Sequence, residues 1–394
     1  MRNATARTAV LQGIDAELTQ VRARSEPGEG LEVLGGLAAA KAQLLATLRT
    51  CGHDLPPDQR IVLETPRHAG PGNQLAAVVA TLLVLGVLPK RAMARVVFWG
   101  EVTLAGEVRP ICGAVSVADQ ARAAGYRLVV ARASEASVSV MRDLDVVAIS
   151  SLAELRDALR RGSVRQVVPP TPTSSRRGPE FTAPGFGRAK RAIEVAIAGQ
   201  HPLILRGPPS AERDLLLRWI GTLLPDLDDD AQLEVAKVHD TTHCTPSAHP
   251  LRPPLRMPHA TVSALAMFGG GTPIRPGEVT LAHRGALVLD DAPEFGFAIL
   301  DGLAEILRSG EVQLPRATGV VRLPARFVLV LAVNPCPCGW FGQARCRCEA
   351  ESIDRYHSRL AKLRRRIALD VESDATDTSV GLDLSSAAIR RRLE

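Results

Sequence analysis

Three runs in the second half of the chain constrain its fold most. "PLILRG", "GALVLDD" and "FVLVLAVN" are continuously apolar before their polar ends. Helical patterns such as "RDLLLRWIGTLL" and "AILDGLAEILRSG" lie between them. A strand with no polar face has both faces buried, an arrangement provided by a parallel sheet covered by helices on both sides. The pair "EVQLP" and "GVVRLP" adds two strands, "RAKRAIEVAIAGQ" adds a helix, and an irregular Pro/His stretch is expected after "RDLLLRWIGTLL".

The first half reads differently. "TAVLQGI" and "LTQVRAR" are short strands, and "LAAAKAQLLATLRTCG" has helical spacing closed by Gly52, a C-cap signal. The alanine-rich run Leu75 to Leu88 is a buried helix too short to span a bilayer. Two strands about a Gly turn follow in "ARVVFWGEVTLAGEVRPICG", then the helix "SVADQARAAGY" and the strand "RLVVAR". The helix "LAELRDALRRG" closes a first domain, residues 1–162. Residues 163–180, rich in Pro, Ser and Arg, read as a linker. Residues 181–372 form the second domain, and 373–394 a polar, poorly ordered tail.

The N-terminus has no signal-peptide core, so a cytoplasmic location with no membrane partner is expected. A net charge of +6 permits contact with nucleic-acid phosphates, while 3% aromatic residues argue against base stacking as a general theme. Seven cysteines include Cys336, Cys338, Cys346 and Cys348 in a C-x-C-x7-C-x-C array. Four thiolates in a short Pro/Gly hairpin suit zinc, with a cluster of reduced or redox-active thiols as the alternative. Cys51, Cys112 and Cys244 are scattered and read as core or incidental cysteines.

"GPPSAERD", Gly207 to Asp214, stands where a phosphate loop of the form G-x-x-x-x-G-K-[ST] would cradle a nucleotide. Gly207, Pro208 and Pro209 suit the loop, but Glu212 replaces its second glycine, Arg213 its lysine and Asp214 its metal-binding hydroxyl. Arg keeps the charge on a wider planar head. At about 4 Å and an effective dielectric near 20, each added anion repels a phosphate charge by about 4 kcal/mol. Asp290 and Asp291 end an apolar strand, in the form of a metal-holding and a water-orienting carboxylate, with helix capping as the alternative. Asn334 ends the next strand as a candidate phosphate sensor; an Asn before Pro is otherwise an ordinary turn residue.

"RPGEVTLAHRGALVLDDAPEF", "VNPCPCGWFG", "CRC" and "RYHSRL", with "AKRAIEVAIAGQHPLILRGPP" upstream, together resemble the magnesium-chelatase-like AAA+ ATPases of the ComM/YifB type. The resemblance implies a P-loop AAA+ α/β core using ATP and Mg²⁺, a homo- or hetero-oligomeric ring, and action on branched DNA in recombination. It also implies a Lon-protease-like α+β fold for the first domain, where "AGPGNQ" puts Gly72 at the nucleophile position and "ICGAVSV" puts Val115 near the base position. No peptidase dyad is expected. Arg366 matches an arginine finger, with a solvated basic face as the alternative. The family's helical lid is expected to be missing. His259 lies in "RMPHATVS" and is assigned no catalytic role. The resulting expectation is weak or lost ATP hydrolysis, with a non-catalytic scaffold or regulatory subunit as the alternative.

Overall fold

The computed structural model describes residues 2–93, 95–141, 143–161, 181, 185–242, 252–272, 274–316, 319–378 and 383–393. The expected linker, 163–180, lies outside the described residues. Contacts divide the chain into one unit of Met1–Thr173 with Ala236–Pro250, and a second of Ser174–Val235 with Leu251–Glu394.

The first unit is built on a seven-stranded mixed sheet. Its elements are β1 (Asn3–Gln12), β2 (Asp15–Pro27), β3 (Gly30–Leu34), α1 (Lys41–Thr50), β4 (Gln59–Glu64), α2 (Gln74–Val84) and β5 (Val96–Trp99). There follow the short pair β6 (Glu101–Val102) and β7 (Val108–Arg109), then α3 (Ala114–Ala123), β8 (Arg127–Ala131), α4 (Glu135–Val138), β9 (Val146–Ile149) and α5 (Leu152–Arg161). The sheet runs β3-β4-β2-β1-β5-β8-β9. Every residue of α2 is buried, including Gln74 and Thr81, whose polar groups are hydrogen-bonded. Each Leu or Val there contributes about 1.5–3 kcal/mol by leaving water. Cys112, expected as an incidental thiol, is disulfide-bonded.

The second unit begins with α6 (Gly187–Gly199), β10 (Leu203–Arg206) and α7 (Ala211–Leu223). Next comes α8 (Asp229–Thr242), whose residues from Ala236 onward belong to the first unit, a helix where an irregular stretch was expected. Asp228 caps it, accepting from the Ala231 N–H at 2.7 Å, and Ala231, Val235, Ala236 and Val238 are buried. The chain continues through β11 (Leu255–Arg256), α9 (Ala264–Phe268), β12 (Gly269–Gly270), β13 (Arg275–Pro276), α10 (Glu278–Leu281), β14 (Ala286–Leu289) and α11 (Phe297–Ser309). It ends with the hairpin β15 (Glu311–Arg316) and β16 (Gly319–Pro324), then β17 (Val328–Val333), α12 (Ala350–Ser358), α13 (Ala361–Arg364), β18 (Leu369–Glu372) and α14 (Ser386–Leu393).

Strands β11-β14-β17-β10-β18 form a sheet in which every pairing is parallel, consistent with a P-loop AAA+ core. Arg206 pairs with Val333 and Leu289 with Leu331, so Gly207, Asn334 and Asp290 emerge together at the carboxyl edge, where such sheets bind ligands. Part of the expected polar tail is structured. Ile389 of α14 is fully buried, Ser386 accepts from the Trp219 indole at 2.7 Å, and Arg392 pairs with Glu194. A few apolar residues on a short, arginine-rich helix leave a weak periodic signal, and the core that accepts them is remote in sequence.

Asp240 belongs to the first unit and accepts from the Val115 N–H at 2.9 Å, at the start of α3. Burial pushes its carboxyl up to about 6, against the opposing pull of the Val115, Gly113 and Ala114 N–H groups. A raised folded-state value means that its stabilising contribution is complete below the ordinary aspartate value of 3.8 and is lost as pH rises through about 6. Asp240→Asn will therefore melt at a higher temperature than the parent at pH 7 and match it at pH 3, in thermal scans at the two pH values.

Candidate nucleotide site

Ser210, in extended backbone, caps α7 by accepting the Arg213 N–H at 3.1 Å, so the helix opens inside the "GPPSAERD" run. Gly207 allows a close approach: a Cβ there would stand 2.5 Å from the Ser373 Oγ. The Gly207 N–H donates to the Val333 carbonyl at 3.1 Å, tying the loop to β17.

Arg213 turns inward, with only 2% of its surface exposed. One terminal nitrogen donates to the Gly207 carbonyl at 2.9 Å and to the Asn334 Oδ1 at 2.7 Å. The other donates to the Asp290 Oδ1 at 2.9 Å and reaches the Asp291 Oδ1 at 3.4 Å. The Asn334 amide then donates to the Asp291 Oδ1 at 2.6 Å, and the Asp291 N–H to the Asp290 Oδ1 at 3.0 Å. Burial pushes the Asp290 carboxyl above its usual range, Arg213 pulls it back, and the charges of Asp291 and Asp214 push it further. Asp291 has left-handed backbone, φ 51°, an uncommon conformation for a residue that is not glycine.

The structure thus brings together Gly207, Arg213, Asp290, Asp291 and Asn334. Glu212, Asp214 and Pro208 are exposed, Pro209 is half-buried, and Arg366 stands exposed beyond α13. No side-chain hydrogen bond or ion pair joins Arg366 to the cluster among the described residues. Sequence reasoning missed two neighbours. Ser210 carries the ordinary signal of a Ser before a helix. Tyr356 is 5% exposed, and burial with the charges of Asp291 and Glu294 raises its pKa against the opposing pull of the Asn334 N–H.

As they stand, these residues do not fit Mg²⁺-ATP. The position that would supply a metal-binding hydroxyl is the carboxylate Asp214, and the cation that would reach a triphosphate is spent on Asp290 and Asp291. A guanidinium with four oxygen partners holds the acids as a metal would, but from within the chain.

The cysteine array directly follows Asn334. Sulfur separations are 3.3 Å for Cys336 to Cys338, 3.8 Å for Cys336 to Cys346 and 3.7 Å for Cys338 to Cys346. All four sulfurs lie within 4.8 Å of one another. A tetrahedral ion with metal–sulfur bonds of about 2.3 Å requires sulfurs about 3.8 Å apart, so the group can hold a metal. The Trp340 N–H donates to Cys338 and, with Cys336, lowers its thiol to about 6, while the thiols of Cys346 and Cys348 in the same cluster are raised.

In the first unit, a Cβ on Gly72 would stand 2.5 Å from the Trp99 ring, and Val115 is 1% exposed. The indole fills the space that a side chain at residue 72 would need.

Residues 183–380, just over half of the chain, match the family model described as magnesium chelatase, subunit ChlI. The chain belongs to the magnesium-chelatase-like family of the ComM/YifB type. YifB of Escherichia coli is 35% identical over 271 residues, covering 66% of this chain and 52% of that protein. Competence protein ComM of Haemophilus influenzae is 32% identical over 272 residues, 67% of this chain and 53% of its own. An uncharacterized protein of Mycobacterium tuberculosis is 31% identical over 368 residues, 90% of this chain and 73% of its own. Within this magnesium-chelatase-like chain, the matched segment includes the Arg213 cluster, the cysteine array and β18. No helix among the described residues is long and apolar enough to cross a membrane.

Proposed function

We propose that this magnesium-chelatase-like protein takes part in ComM-like remodelling of branched DNA, as a ring member whose own ATP hydrolysis is weak or lost. The single observation that carries the reading is the inward-turned Arg213, bonded to Asp290, Asp291 and Asn334. An ATP-hydrolysing site needs the first acid free for Mg²⁺ and the second for water. Here both face an internal cation. The same observation favours the second reading, a scaffold or regulatory subunit in a ring formed with an intact relative. In that ring Arg366, exposed beyond α13, would face a neighbouring subunit, and the first unit would serve as a Lon-like partner-binding domain without peptidase residues. The four-cysteine array holds zinc in this reading, because four thiolates at these spacings form a soft tetrahedral donor set.

ATP turnover by the purified chain, measured beside Asp290→Ala, tests the proposal. The two proteins will show the same background rate. Robust turnover that disappears in Asp290→Ala would overturn the pseudoenzyme reading.

A further inference from the structure

The cysteine array meets the nucleotide loop at Gly339 and is joined by the chain itself to Asn334. Between Asn334 and α12 the chain forms turns and bends with no strand ladder, so little backbone pairing holds it. The Gly339 N–H donates to the Cys336 carbonyl at 2.9 Å, closing a tight turn that contains two of the four sulfurs. Gly339 has φ +80°, and a Cβ there would stand 2.7 Å from the Pro209 Cδ. Its backbone is therefore seated against the loop, one residue before the Ser210 cap of α7. On the other side, Cys336 is fully buried two residues after Asn334. Pro335 joins them with a restricted backbone, and the His357 ring lies 3.1 Å from the Pro335 carbonyl.

We propose that the four-cysteine hairpin is a metal-set clamp on the nucleotide loop: a bound ion fixes Gly339 against Pro209 and, through Pro335, sets Asn334 against Arg213. The inference rests on the zinc reading given above and adds what the ion does. In a segment lacking a backbone ladder, metal binding supplies the ordering free energy. Cys346 and Cys348 complete the donor set from the other end of the hairpin, so a ligand lost there weakens the hold of the ion on Cys336 and Cys338. The clamp has two arms, Gly339 to Pro209 and Cys336 to Asn334: the first ends in the loop between Gly207 and Ser210, the second on Asn334, and these three residues all bond Arg213. Loss of the ion loosens the contacts that hold the guanidinium, and restoration of the ion resets them.

Elemental analysis and amide hydrogen exchange on the full chain test this. The parent will carry one zinc per chain and Cys348→Ser will carry less. In Cys348→Ser, amides of 207–216 will exchange about tenfold faster, while those of β1 and β2 stay unchanged, as expected for a local opening. Gly339→Ala provides the second variant: it will keep its zinc yet show the same faster exchange at 207–216, because its methyl group displaces Pro209. Zinc retained in the parent, with exchange at 207–216 unaltered in both variants, overturns the clamp and leaves the metal site standing. A parent that contains no zinc and takes none up on titration overturns both.

Discussion

Changing Glu212→Gly, Arg213→Lys and Asp214→Thr together will raise the affinity for Mg²⁺-ATP by about 100-fold, which corresponds to about 2.7 kcal/mol. Three effects contribute. Lysine is a compact charge on a flexible stem and cannot span Gly207, Asn334, Asp290 and Asp291 as the guanidinium does, so the acids become available to a metal. Removing the exposed Glu212 and Asp214 also removes two anions beside an incoming triphosphate, each worth about 1 kcal/mol after solvent screening. Threonine supplies the missing metal-binding hydroxyl, and glycine lets the loop approach the phosphates. Titration calorimetry of the parent and the triple variant, with and without Mg²⁺, reads the change directly. An affinity equal to that of the parent would show that Arg213 is not what closes the site.

Arg213→Ala will destabilise the second unit by about 3 kcal/mol, because it leaves a buried gap and two carboxylates deprived of their cation. Asp290 and Asp291 keep 39% and 44% of their side-chain surface, which holds the loss toward the lower end of that expected for a broken buried pair. For a unit of this size the midpoint should fall by roughly 6–12 °C. Combining Arg213→Ala with Asp290→Asn will recover part of the loss, since the second change removes one of the stranded charges. A loss below about 1 kcal/mol in urea unfolding would mean that the ion pairs barely repay the desolvation of the guanidinium. The two experiments are complementary: one reads Arg213 as an obstacle to ligand, the other as a structural part.

Much of the architecture was legible because the signals were local. The apolar runs at Leu203, Ala286 and Val328 became the parallel strands β10, β14 and β17, and the largely apolar helix at Gln74 became the buried α2. Legibility failed where stability comes from distant partners. β18 reads as "LDVE", with alternating charge, and is a strand because its backbone pairs with β10. α14 carries Arg390, Arg391 and Arg392 and is held by Ile389, Ser386 and Glu194, none of which marks a helix in sequence. α8 has its cap and apolar spacing in plain sight, and its proximity to the Pro/His stretch concealed them.

At the candidate site the division is sharper. By itself the sequence determined the residue types, the place of "GPPSAERD" between a buried strand and a helix, and the spacing of four cysteines. Those follow from composition and periodicity, which short-range sterics and burial translate directly into elements. Only the tertiary structure decided which way Arg213 points. In sequence a cation six residues after Gly207 is equally able to face solvent, a phosphate or its own acids. The parallel register brings Asp290 and Asn334 to the same edge, and a buried guanidinium there satisfies its charge and its terminal donors with the oxygens that edge presents.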